Sequence, residues 1–131
     1  MENEELIIQE ITNTDAVADK IVLVMGVKGT GKSTYIIQKY EELKSSCDLI
    51  GTYNSNAGDP DNMNTIIYIL KDKCTNEIII LNSGSDEQRH INYFRDVLAK
   101  YPKISTVYTA IRPEEENPKL HKWMKEALSI W

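Results

Sequence analysis

Residues 21–37 read IVLVMGVKGTGKSTYII. The run Ile21 to Met25 is apolar and β-branched on both alternating faces, which is the pattern of a strand covered on two sides rather than one. It stops at Gly26. From Lys32 onward Ile36, Ile37, Tyr40 and Leu43 recur at helical spacing, predicting a helix over residues 32–45. A buried strand, a loop with three glycines and a helix therefore follow one another without a break.

Within that segment GVKGTGKS, Gly26 to Ser33, satisfies G-x-x-x-x-G-K-[ST] at every fixed position. Consecutive backbone N–H groups must turn inward to surround a phosphate, and side chains at Gly29 and Gly31 would obstruct that turn. The helix N-terminus adds further donors and positive potential. In such a loop Lys32 reaches the outer phosphates and the Ser33 hydroxyl takes a position on Mg²⁺. The predicted binding set is Gly26, Val27, Lys28, Gly29, Thr30, Gly31, Lys32, Ser33 and Thr34.

The stretch from Ile21 to Thr34 resembles the Walker A loop of the P-loop NTPases, and the additional glycine at Gly29 is most similar to the small-molecule and nucleotide kinases of that superfamily. The resemblance implies ATP or GTP with Mg²⁺ as cofactors and a small-molecule or nucleotide acceptor. It also implies a three-layer α/β P-loop NTPase fold, with a short, mostly parallel sheet and helices on both faces. A carboxylate at the end of the third core strand is expected by the same resemblance, and this sequence has Asn82 there. Asn82 can orient a metal-bound water but cannot carry charge or take a proton. Asp86, four residues on, is one substitute, and it also suits the start of a helix. Asp59 and Asp61, in the loop after the second core strand, are others, and also fit turn and cap positions. Arg112, directly after the fourth core strand, is placed to steady phosphoryl charge, and Arg89 is a second candidate; each also fits a surface ion pair. The lid arginines and fifth strand of the nucleotide kinases have no counterpart.

The remaining segments extend the alternation. Residues 5–11 form a candidate edge strand and DLIGTY, residues 48–53, a core strand. Residues 61–74, DNMNTIIYILKDKC, are predicted helical with Asp61 as cap. EIIIL leads to Asn82, and Ser85 with Gln88 fits a capping box for a helix carrying Ile91, Phe94, Val97, Leu98 and Tyr101, ended by Pro102. ISTVYTAI is the fourth core strand. The last helix, residues 119–131, carries Leu120, Trp123, Met124, Ala127, Leu128 and Trp131 as a docking stripe. Strands alternating with helices predict a four-stranded parallel core in a single domain spanning residues 1–131.

Composition narrows the functional classes. The chain has 131 residues, 41% hydrophobic and 27% charged, with a net charge of -5. That balance argues against general affinity for nucleic acid, which needs a basic face to release counterions. Lys119, Lys122 and Lys125 read as a solvated helix face. No apolar run is long enough to cross a bilayer, and the acidic start carries no export signal, so a cytoplasmic location is expected. Cys47 and Cys74 lack metal-ligand spacing and read as reduced thiols. His90 and His121 have no partners at catalytic spacing and are expected at the surface. Two activities stay open: a kinase-like phosphotransferase or NTPase, and a nucleotide-binding or sensor module with little turnover, either one able to work with a protein partner.

Overall fold

The computed structural model describes residues 6–12, 15–27, 29–56, 58–59 and 61–130. Six strands and three helices follow in the order β1 (Ile7–Thr12), β2 (Ala18–Met25), α1 (Lys32–Leu43), β3 (Cys47–Asn54), β4 (Ile66–Asp72), β5 (Ile78–Asn82), α2 (Gln88–Leu98), β6 (Ile104–Ile111) and α3 (Pro118–Ala127). The strands form one sheet ordered β1-β2-β6-β5-β4-β3. β6 lies between β2 and β5 and is parallel to both, with Val22 opposite Tyr108 and Leu81 opposite the same residue. The pairings β1–β2, β3–β4 and β4–β5 are antiparallel.

This corrects the expected three-layer P-loop fold with a mostly parallel sheet. The sheet is mixed, and strand exceeds helix among the described residues, 35% against 28%. The difference arises at residues 61–74, where the expected helix is instead β4. Ile66, Ile67, Tyr68, Ile69 and Leu70 are all buried in succession, which a helix stripe does not produce. They alternate sides as a strand requires: Ile67 and Ile69 join one core, while Ile66, Tyr68 and Leu70 join the other. Without a crossover helix there, β3, β4 and β5 run as an antiparallel meander. β1 adds the expected edge strand; Glu5, its expected first residue, lies outside the described residues.

The larger core packs α2, through Ile91, Phe94, Val97 and Leu98, and α3, through Leu120, Met124 and Ala127, against Ile21, Leu23, Ile67, Ile69 and Ile80. On the opposite face α1 stands alone. Ile36 is its fully buried apolar anchor over Val24, Leu70 and Leu81, and Tyr40 stacks on Tyr68 with ring centroids 4.0 Å apart. A single helix does not reach the sheet margins. Leu49 and Ile50 on β3 and Ile7 on β1 stay exposed, and the β3–β4 register shifts between Leu49 and Gly51.

Two helix ends also differ from expectation. α2 begins at Gln88 with Glu87 as its cap residue and without a side-chain cap, so Ser85 and Gln88 form no capping box. α3 is capped by Asn117, whose side chain accepts from the Leu120 N–H at 3.1 Å, with Pro118 in its first turn. Its expected last residue, Trp131, lies outside the described residues. No described helix is long and apolar enough to cross a membrane.

Because Ile69 sits at a fully buried strand centre, Ile69→Ala is expected to lower stability by about 2–5 kcal/mol in urea unfolding. Leu49→Ala, on the exposed edge, is expected to change it by less than about 0.5 kcal/mol. Equal effects would contradict the placement of β4.

Candidate functional site

The three parallel strands end at the same sheet edge, so the segments that follow β2, β5 and β6 converge there. After β2 the chain makes a tight loop. Thr30 N–H donates to the Val27 carbonyl at 3.2 Å and the Thr30 hydroxyl to the same oxygen at 2.7 Å. Gly29 and Gly31 take φ of 89° and 95°, the left-handed region closed to most side chains, and a Cβ at either would face open space. The loop is shaped for backbone approach from outside. Gly31 is the α1 cap residue, and its first turn has no side-chain cap and no acidic residue. Among the described residues no side chain caps its N–H groups, an arrangement suited to an external acceptor.

Lys32 is buried, and its ammonium donates to the carbonyls of Gly26 at 2.8 Å and Val27 at 3.1 Å. Burial holds its pKa below the usual lysine value; Asp86 opposes that shift, Arg112 adds to it, and Glu116 opposes it. An anion placed beside this group would favour its charged form.

A cavity of about 350 Å³ opens here. Gly29, Gly31, Lys32, Ser33 and Thr34 line it from the loop and α1; Asn64, Ser83 and Asp86 line it from the other side of β6. Asp86 accepts from Arg112 Nε at 2.7 Å, and Arg112 Nη1 donates to Glu116 at 3.0 Å. Burial works against the Arg112 charge, but Asp86 and Glu116 outweigh it and raise its pKa. The Arg112 carbonyl lies 2.8 Å from His121 Nδ1, which fixes the start of the following segment.

The other predicted residues are placed elsewhere. Asn82 is fully buried: its amide nitrogen donates to the Gly84 carbonyl at 2.8 Å and the Thr109 hydroxyl at 3.0 Å, and its oxygen accepts from Gly84 N–H at 3.2 Å. Its polar atoms are spent inside the protein. Asp59 and Asp61 are exposed and do not line the cavity, although Asn64 of the same loop does. Arg89 pairs with Glu87 at the surface. Lys28 lies outside the described residues. Cys47 is buried and Cys74 exposed, both free.

Asn64 and Ser83 were not predicted. Nothing local in sequence marks them, because their place depends on β4 pairing with β5. The two histidines, expected at the surface, are both buried. His90 has both ring nitrogens without a partner among the described residues, as does the nearby Ser85 hydroxyl. Burial lowers the His90 pKa, against Glu87 and Asp86 and with Arg89.

Residues that would hold a nucleotide and its metal fit the group. The cradle offers an ammonium and an α1 N-terminus without a side-chain cap, and Ser33 and Asp86 on the cavity wall carry oxygens of the kind that Mg²⁺ would take alongside phosphate oxygens. No cluster of three or more His, Cys, Asp or Glu able to hold a metal alone occurs among the described residues. Comparisons with family models, curated proteins and solved structures find no match to this chain.

Two outcomes follow from these placements. Asn82→Asp puts a carboxylate against the Gly84 carbonyl oxygen in a buried site, and is expected to cost about 2–4 kcal/mol in denaturant unfolding without strengthening Mg²⁺ binding. Tighter Mg²⁺ binding would instead give this position a metal role. For His90 the lowered folded pKa means that, as pH falls below about 6.5, the unfolded chain takes up a proton that the folded chain resists. Stability should fall across that window, and the fall in thermal midpoint should be smaller in His90→Asn. Parallel curves would show that His90 is not responsible.

Proposed function

We propose that this protein binds a nucleoside triphosphate, ATP or GTP, with Mg²⁺, in the cavity between the 26–34 loop and the ends of β5 and β6. The observation that carries the reading is the loop itself: two left-handed glycines open to the outside, an uncapped α1 N-terminus and a buried lysine, all lining one cavity. The Walker A resemblance of residues 21–34 supports the same ligand. In this reading loop and helix N–H groups hold the inner phosphates, and Lys32 exchanges its bonds to Gly26 and Val27 for phosphate oxygens. Mg²⁺ would neutralise phosphate charge, with Ser33 as a ligand and Asp86 beside it.

A kinase-like transfer or hydrolysis is favoured by one feature, the Asp86 carboxylate on the cavity wall beside Arg112. A binding or sensor role is favoured by another: Asp86 is already engaged by Arg112, while Asn82 is spent in the interior. The cradle is common to both, and nucleotide binding is the conclusion; an acceptor molecule belongs to the catalytic reading, and a protein partner fits either. The cytoplasm is its proposed location.

Calorimetric titration with Mg²⁺ and ATP or GTP is expected to show saturable binding, weakened at least about 100-fold in Lys32→Ala, which removes a buried charge-assisted contact. Affinity unchanged by that substitution would sink the proposal. Phosphate release by the wild type above the Lys32→Ala level, lost in Asp86→Asn, would select the catalytic reading.

A further inference from the structure

We propose that Asn64 reads the terminal phosphate, so that the cavity distinguishes a nucleoside triphosphate from the corresponding diphosphate. The inference rests on the cradle reading above. Among the described residues, the loop and the start of α1 supply the donors on one side of the cavity, and Asn64, Ser83 and Asp86 form the facing wall that a phosphate chain held there would meet. Of these three, Asp86 is anionic and repels a phosphate unless a metal stands between them. The Ser83 hydroxyl is occupied: it lies 2.9 Å from the Met63 carbonyl and 3.1 Å from that of Ile66, and accepts from Ile66 N–H at 2.9 Å. Asn64 is exposed to the cavity, and its side-chain amide has no partner among the described residues. It is the neutral donor that remains.

The segment carrying Asn64 is held in place by side chains rather than by regular structure. Asn54 Nδ2 donates to the Asn62 carbonyl at 2.9 Å, and the Thr65 hydroxyl donates to Asn54 Oδ1 at 2.5 Å. The Asn64 N–H itself donates to Asn62 Oδ1 at 2.9 Å, and Ser83 ties the neighbouring Met63 to the end of β5. Both flanks of Asn64 are therefore anchored while its side chain is left unpaired. With the backbone held on both sides, only the side chain of this donor has to be ordered when a phosphate oxygen arrives.

The test is calorimetry on the full chain with Mg²⁺ and either ATP or ADP. Wild type is expected to prefer ATP. Asn64→Ala should lose about 10- to 100-fold in ATP affinity, the range of a charge-assisted hydrogen bond, with ADP affinity within about 2-fold of wild type. Asn64→Asp should weaken ATP at least as much, by repulsion of the outer phosphate. Thermal midpoints of both variants should match the wild type, since the side chain is exposed and unpaired. Equal loss for ATP and ADP, or unchanged ATP affinity, overturns the assignment while leaving the cradle intact. Wild type that binds neither nucleotide through Lys32 overturns the cradle reading and this one with it.

Discussion

The parallel pairing of β6 with both β2 and β5 is the constraint on which the site depends. β6 enters the sheet last, yet its register fixes how far β2 and β5 extend past one another: Thr109 lies opposite Leu23 on one side and Asn82 on the other. That register places the end of the glycine loop and the start of α2 across a single strand end. The Asn82–Thr109 hydrogen bond holds the same junction from within, 3.0 Å long and wholly buried. Each of the two groups also holds a backbone carbonyl, Asn82 that of Gly84 and Thr109 that of Ala110, so the bond ties together two side chains already fixed to the main chain.

Charge at this edge is arranged as a relay rather than as a cluster. Lys32 leans on backbone carbonyls, Asp86 leans on Arg112, and Arg112 leans on Glu116. Each charged group therefore has a partner before any ligand arrives. A phosphate and its metal would have to replace those partnerships, and affinity is then set by the difference between old and new contacts. Asp86, 39% exposed at its side chain, is the member of the relay with room to turn; Arg112, at 11%, is not.

What the sequence made legible followed from local chemistry. The glycine loop, Lys32 and the helix after it are specified by residues adjacent in the chain, and α1 begins at Lys32 as expected. The stripe on α2 and the strand before Asn82 were readable for the same reason. Residues 61–74 were not: IIYIL is apolar at every position, and such a run satisfies helix and buried strand alike until its neighbours are known. That one misreading turned an antiparallel meander into a parallel core. It also hid Asn64 and Ser83, which meet the cavity only because β4 and β5 pair. Asn82 is legible in the sequence as standing where the resemblance implies a carboxylate, but its partners Gly84 and Thr109 belong to tertiary packing.

The shift in register between Leu49 and Gly51 has a consequence beyond the monomer. β3 is an outer strand, with no described strand on its far side and with two exposed apolar residues, Leu49 and Ile50, and an unbroken strand of that kind is a template for recruiting further chains. The irregularity falls at those two residues and twists the strand where it is most adhesive. Asp48, exposed just before them, adds charge to the same stretch. One misaligned residue thus interrupts the straight, adhesive edge on which a further strand would have to pair.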